Sequence, residues 1–215
     1  MSKPVLPKGL YAITDSDYIQ PSLLGNAVQH AILGGAVMVQ YRDKGRNPGR
    51  RKREAIQLRD ICHDHDVPLI INDDVRLAEE IQADGVHLGR DDWSVETARK
   101  ALGDSAIIGA SCYNSMGFAR RARDEGADYV AFGSFFPTQT KERAERATSD
   151  ILTEASTELD QHIVAIGGIK PENGANLIRA GADMIAACSG VFDRRDSESA
   201  SHHYAALFRN AALLD

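Results

Sequence analysis

Eight short apolar runs, each leading into a stretch with helical spacing, constrain this chain more than any other feature. The runs are Leu10–Thr14, Val37–Tyr41, Pro68–Ile71, Gly85–Leu88, Ala106–Ser111, Tyr129–Gly133, Ile163–Ile166 and Met184–Cys188. They are short and rich in β-branched residues, and most lack polar alternation, so they read as strands covered on both faces. Between them the spacing predicts helices over Leu23–Leu33 behind a Ser22 cap, Gly49–Asp64, Val75–Ile81 behind Asp74, Ser115–Glu125, Ile151–Leu159 and Asn173–Ala180. A last helix lines up Tyr204, Leu207, Phe208 and Ala211 on one stripe. Alternating strand and helix implies a parallel sheet. Eight such units in 215 residues predict an α/β protein with one domain over residues 1–215, a compact (β/α)8 TIM barrel. An open doubly wound sheet is the competing architecture, but no Gly-x-Gly-x-x-Gly follows the first strand.

An internal echo supports the alternation. Gly34-Gly35-Ala36, Gly126-Ala127-Asp128 and Gly181-Ala182-Asp183 each precede a strand, and Ala83-Asp84-Gly85 is a rearranged version. A helix can stop on Gly, which tolerates the left-handed conformation, before a tight turn feeds the next strand.

Composition excludes several classes. With 43% hydrophobic residues the chain can build a sizeable core, and a net charge of -6 gives no footprint for nucleic acid. Cys62, Cys112 and Cys188 are odd in number and far apart, which fits a reducing cytoplasm rather than a disulfide framework. Met1–Pro7 has no apolar leader core, and no run approaches the length that spans a bilayer. A cytoplasmic protein without membrane partners is expected, and a homo-oligomer is compatible with it.

The chemistry-bearing residues fall at strand ends. Leu69–Ile71 is followed by Asn72, Asp73 and Asp74, and Gly85–Leu88 by Asp91 and Asp92. Two consecutive units thus deliver acids to one end of the sheet, where carboxylates can share a hard cation. Asp74 and Asp91 also suit helix capping; the pattern as a whole favours a metal. In the second strand Met38, Gln40 and Arg42 share a face, so Gln40 and Arg42 rise toward the mouth and Lys44 follows. An amide, a guanidinium and an ammonium suit an anionic ligand that accepts hydrogen bonds. The fifth strand ends in Ser111, and the sixth leads to Pro137-Thr138-Gln139-Thr140-Lys141. Gly167-Gly168 and Ser189-Gly190 follow the last two strands, where barrels often build phosphate sites from backbone N–H groups. Arg42–Arg53 and Pro137–Ser149 read as long binding loops on the same face, the second a candidate lid.

Other suggestive residues carry less. Cys62-His63-Asp64-His65-Asp66 lies at a helix end, and residues two apart do not share a helical face. His87 reads as a hydrogen-bonded histidine inside the barrel. His202 and His203 belong to the terminal helix, and Cys112 has no evident His partner that would mark it as a nucleophile.

The ordered set Gln40–Lys44, Asn72-Asp73, Gly85-Val86-His87-Leu88-Gly89 with Asp92, Ser111, Pro137–Lys141 and Gly167-Gly168-Ile169 closely resembles the thiamine-phosphate synthase family, from about Gly9 to Val191. The resemblance implies a TIM-barrel transferase that joins hydroxymethylpyrimidine diphosphate to a thiazole phosphate. It releases diphosphate by a magnesium-assisted dissociative substitution. It implies one Mg²⁺ per active site on Asp73 and Asp92. Pyrimidine-diphosphate contacts fall on Gln40, Tyr41, Arg42, Asp43, Lys44, Asn72, Ser111 and Lys141, with Arg42, Lys44, Ser111 and Lys141 catalytic. Thiazole-phosphate contacts fall on Thr138, Gln139, Thr140, Gly168, Cys188 and Ser189. The chain departs from the family pattern at Arg90, where Gln is usual, at Asp91, commonly Glu, and at Cys188, usually aliphatic. Two alternatives stand beside this reading: a sister thiazole tautomerase, and a non-catalytic barrel that binds thiamine precursors. The cluster of Asp73, Asp92, Arg42, Lys44 and Lys141 argues against both, since neither has a diphosphate leaving group to neutralise.

Overall fold

The computed structural model describes residues 5–137, 146–193 and 196–211. Its strands are β1 (Gly9–Ile13), β2 (Ala36–Tyr41), β3 (Leu69–Asn72), β4 (Gly85–Leu88), β5 (Ile107–Tyr113), β6 (Tyr129–Phe132), β7 (His162–Ile166) and β8 (Met184–Ala187). All pair in parallel in sequence order, and β8 closes on β1 with Gly9 opposite Met184 and Ala12 opposite Ala187. This is the expected (β/α)8 barrel. The helices are α1 (Leu24–Leu33), α2 (Pro48–Asp64), α3 (Val75–Ile81), α4 (Val95–Leu102), α5 (Met116–Asp124), α6 (Ser149–Glu158), α7 (Pro171–Arg179), α8 (Ser189–Phe192) and α9 (Ser197–Ala211).

Local chemistry explains most helix starts. Asn47 accepts from the Arg50 N–H at 3.0 Å, with Pro48 in the first turn of α2. Asp74 and Ser115 cap α3 and α5 as expected, accepting from the N–H groups of Leu77 and Phe118. Two expectations need correction. Ser22 does not cap α1, because Pro21–Leu23 form a 3₁₀ turn that runs straight into the helix. Asp91 caps nothing; Ser94 caps α4, a helix the sequence reading passed over. The short α8 was also unforeseen.

Side chains alternate across every strand. Tyr11, Ile13, Met38, Ile70, Ile107, Tyr129, Ala131, Val164, Met184 and Ala186 fill the barrel interior. Leu10, Val39, Leu69, Ile71, Val86, Ile108, Val130, Phe132, Ala165 and Ile185 face the helices and join the larger outer core. Gly109 takes an interior position without a side chain. A Cβ there would collide with the Tyr129 ring, so the missing side chain is what lets tyrosine lie across the barrel.

The amino end of the barrel is tied by the Ala-Asp pairs that precede alternate strands. Asp84, Asp128 and Asp183 accept from the N–H groups of Leu69, Ile108 and Ile163 at 2.8, 2.8 and 2.9 Å. Their carbonyls accept from Ile107, His162 and Gly9 on the other side. Each aspartate therefore links the strand before its own to the strand after it.

Candidate active site

At the carboxyl ends of the strands lies a cavity of about 420 Å³, lined by residues of the β2–α2, β3–α3 and β4–α4 connections. Lys44, Asn72, Asp73 and Asp92 line it, with Asp43 and Asp91. Asp73 sits in the left-handed region at φ 64°, which Asp tolerates better than most residues, and its N–H donates to the His87 carbonyl at 2.8 Å. That turn sets its carboxylate beside that of Asp92, which accepts from the Gly89 N–H at 2.7 Å. Lys44 forms an ion pair with Asp73.

The two carboxyls differ electrostatically. Burial pushes Asp73 up, but the Lys44 ammonium and a hydrogen bond with Asp92 outweigh it and hold Asp73 below its usual value. Asp92 is raised, by burial first and then by the adjacent Asp73. Two acids in contact need a cation or a proton between them. An all-oxygen pair opening on a cavity with room for waters and phosphates fits Mg²⁺, which keeps several waters and takes one or two carboxylates plus substrate phosphates. Among the described residues no three His, Cys, Asp or Glu side chains converge as a fuller cage.

Arg42 pairs with Asp15 from the β1–α1 connection, and its N–H donates to the Thr14 hydroxyl at 3.0 Å. Asp15 and Thr14 are buried and were not foreseen; a carboxylate just after the first strand was the available signal. Gln40 is 2% exposed inside the barrel and donates from Nε2 to the Tyr11 hydroxyl at 2.7 Å. Ser111 is partly exposed, with its Oγ 2.9 Å from His87 Nε2. His87 Nδ1 lies 3.0 Å from the Tyr129 hydroxyl, itself 2.9 Å from that of Tyr11. Burial pushes His87 down to about 4, against a smaller opposing effect of Asp73. It is thus the satisfied barrel histidine expected, though Tyr11 and Tyr129 went unrecognised as its company.

Tyr41 stands apart from these residues. Strand alternation turns its side chain outward, where the hydroxyl donates to Glu54 of α2 at 2.7 Å. The Asp43 carboxylate accepts from the Gly45 N–H at 2.7 Å and pairs with Arg50, ordering the β2–α2 connection. Two further cations line the cavity: Arg51, 3.1 Å from Asp74, and Arg76, whose guanidinium lies 6.0 Å from the centre of the Trp93 ring. The basic run Arg42–Arg53 had signalled Arg51. Arg90 lies 4.8 and 4.9 Å from the ring centres of Tyr113 and Phe118.

On the other side of the mouth, Gly168 has φ 65°, and a Cβ there would crowd the Phe136 and Pro137 backbone. Cys188 precedes α8, and Ser189 opens it, with the Val191 N–H returning to the Cys188 carbonyl. Glycines after β7 and a short extra helix after β8 are the usual phosphate-holding parts of a TIM barrel. Thr138, Gln139, Thr140 and Lys141 lie outside the described residues. So does most of the Pro137–Ser149 segment read as a lid, whose last residue begins α6. The discounted Cys62–Asp66 cluster lies at the opposite end, with Cys62 buried and His63 3.7 Å from Asp84.

Comparison with known proteins adds sequence-wide information. The model of a family described as thiamine monophosphate synthase matches residues 10–191. The chain is 51% identical over 197 residues to a thiamine-phosphate synthase of Nitrosococcus oceani, covering 92% of this chain and 91% of that one. It is 50% identical over 208 residues to one from Methylococcus capsulatus, covering 97% and 92%. Among solved structures, a thiamine phosphate pyrophosphorylase from Pyrococcus furiosus superposes with a TM-score of 0.86 at 31% identity, covering 94% and 96% of the two chains.

Proposed function

Because the chain belongs to the thiamine monophosphate synthase family, and is an enzyme that forms thiamine phosphate, we propose an assignment of its residues to that reaction. The pyrimidine diphosphate binds over Gln40, Asn72 and Ser111, with its phosphates between Arg42, Lys44 and Lys141. The observation that carries this reading is the adjacent pair Asp73 and Asp92 beside Lys44 in one cavity. Acids for a cation and bases for phosphate are needed together only where a charged leaving group must be neutralised. Gly168, Cys188 and Ser189, with Thr138, Gln139 and Thr140, hold the thiazole phosphate. Tyr41 and Asp43 serve by ordering the β2–α2 connection rather than by touching substrate. The three cysteines, all free, suit a cytoplasmic setting.

In the reaction the C–O bond to diphosphate breaks first, and its electron pair leaves with the diphosphate. The aminopyrimidine ring donates electrons to the vacated carbon, and the thiazole nitrogen lone pair then forms the C–N bond. Held by Asp73 and Asp92, Mg²⁺ would supply neutralisation of the charge that gathers on the leaving oxygens. Asp15 holds Arg42 toward the same region, and Lys44 adds a mobile ammonium. Preorganised charge of this kind acts without reorganisation when the bond breaks.

A covalent route through Ser111 is the second reading, because its Oγ meets His87 as a nucleophile meets a base. The low basicity that burial imposes on His87 opposes it. Burial also pushes Cys112 and Cys188 up to about 12, keeping both as thiols. Incubating the protein with pyrimidine diphosphate, thiazole phosphate and Mg²⁺ tests the assignment. Thiamine phosphate and diphosphate are expected in equal amounts, with turnover lost on chelation. A pyrimidine adduct trapped on Ser111 would overturn the dissociative route.

A further inference from the structure

Five polar side chains cross the otherwise apolar barrel interior in one connected row: Gln40, Tyr11, Tyr129, His87 and Ser111. Each joint has a single donor, so counting protons fixes the direction of the row. Gln40 presents Nε2, which can only donate, so the Tyr11 oxygen accepts there. Tyr11 has one proton, and Tyr129 is its remaining partner to receive it. Tyr129 cannot return a proton to Tyr11 and directs its own to His87 Nδ1. The neutral ring then carries its hydrogen on Nε2 and donates to Ser111 Oγ. Ser111 is left with its hydroxyl proton directed to the barrel mouth.

We infer that Tyr11, Tyr129 and His87 are positioning residues, a one-way hydrogen-bond row that presents the Ser111 hydroxyl as a donor to an anionic oxygen of the bound pyrimidine diphosphate. This rests on the reading above that Ser111 faces that substrate. The packing favours a fixed row. Tyr11 and Tyr129 are 1% and 0% exposed, so water cannot compete for their hydroxyls. The Tyr129 ring meets Tyr11 edge-on at 5.9 Å and stacks on His87 at 5.6 Å. Gly109 has no side chain where that ring lies. A serine free to rotate would split its proton between the ring nitrogen and the mouth. A serine fed from Nε2–H has no such choice, and orientation fixed before substrate arrives is not lost on binding.

The test begins with nitrogen NMR of the full chain labelled with ¹⁵N-histidine at neutral pH, the His87 signals assigned through contacts with Tyr129. The expected spectrum shows Nε2 protonated and Nδ1 bare. The opposite tautomer would overturn the proposal, because it requires Ser111 to spend its proton on the ring. The second arm is Tyr129→Phe, which deletes the donor to Nδ1 and keeps the ring contacts. Its kcat should fall about tenfold, the rate equivalent of one oriented hydrogen bond, with both KM values within about twofold. In a Ser111→Ala background the same change should alter kcat by less than about twofold, since the residue it acts through is gone. An equal fall in both backgrounds would mean a packing effect and overturn the row. If Ser111→Ala alone left kcat unchanged, the substrate reading at Ser111 would fail, and the tautomer would still report the direction of the row.

Discussion

At the scale of the residue, Asp73 combines a backbone demand with a chemical one. Its left-handed φ turns the chain out of β3 and sets its carboxylate against Asp92. Asn shares the tolerance of Asp for this conformation, whereas Ala adds about 1 kcal/mol of strain. Asp73→Asn is therefore expected to lose most turnover and keep its denaturation midpoint, while Asp73→Ala loses turnover and some stability. Near-normal activity of Asp73→Asn at limiting Mg²⁺ would remove Asp73 from the metal site. Lys141 is assigned to the diphosphate, so Lys141→Ala should lower kcat by roughly 10²–10³, the cost of removing one preorganised donor to developing charge. A change confined to the KM for thiazole phosphate would reassign it. Much of this chemistry could be read from the chain, because strand alternation carries Gln40 and Arg42 to one face and puts Asp73 at a strand end. Partnerships could not: that Arg42 meets Asp15, or Lys44 meets Asp73, depends on which strand ends become neighbours when the sheet closes. Tyr11 and Tyr129 were hidden for a related reason, since tyrosine in a buried strand reads as bulk until its hydroxyl partner is known.

At the scale of the element, the amino ends of the strands are held by aspartates rather than by apolar packing alone. Asp128 is the most enclosed. It accepts from the Ile108 N–H and from Arg99 at 2.6 Å, and its side chain is 4% exposed. The same guanidinium reaches the carbonyls of Gly103, Ala106 and Gly126, joining the end of α4 to two turns. Removing one partner of such a pair leaves a buried charge uncompensated, so Asp128→Ala should lower the unfolding free energy by about 3–5 kcal/mol. Asp183 pairs instead with the exposed Lys8, and Asp183→Ala should lose only about 1–3 kcal/mol, the cost of one unpaired buried N–H. Urea unfolding of both variants checks the order, with KM values expected to stay near normal because barrel chemistry sits at the other end. The sequence announced these aspartates as a repeat before strands. The Asp84 copy looked rearranged only because its glycine follows the acid instead of leading; counted from the strand, all three read Ala-Asp. What was not legible was α4, eight residues that bury only Val95 and Ala98, and α8, four residues too short to show a period.

At the scale of the whole molecule, the alternation of eight strands with helices was enough to specify the barrel, because a parallel strand buried on both faces leaves few other architectures. The net charge of -6 extends to the cavity, where Lys44, Arg51 and Arg76 stand among five aspartates, Asp43, Asp73, Asp74, Asp91 and Asp92. A polyanionic substrate therefore meets an acid-rich lining, which a bound divalent cation would offset. Closure has a further consequence, in time rather than in space. Every strand pair but one joins neighbours in sequence; the last joins Gly9 to Met184, nearly the full length of the chain. During synthesis β1 emerges first and waits for its second neighbour until almost everything else has been made. A long-range pairing of this kind is the slow part of folding, since its loop entropy is met before its contacts form. Pulse-labelled hydrogen exchange during refolding should find amides bridging β1 and β8 protected after those joining β3 to β4 and β4 to β5. Uniform protection across all eight strands would mean that the barrel condenses in one step, with no seam left for last.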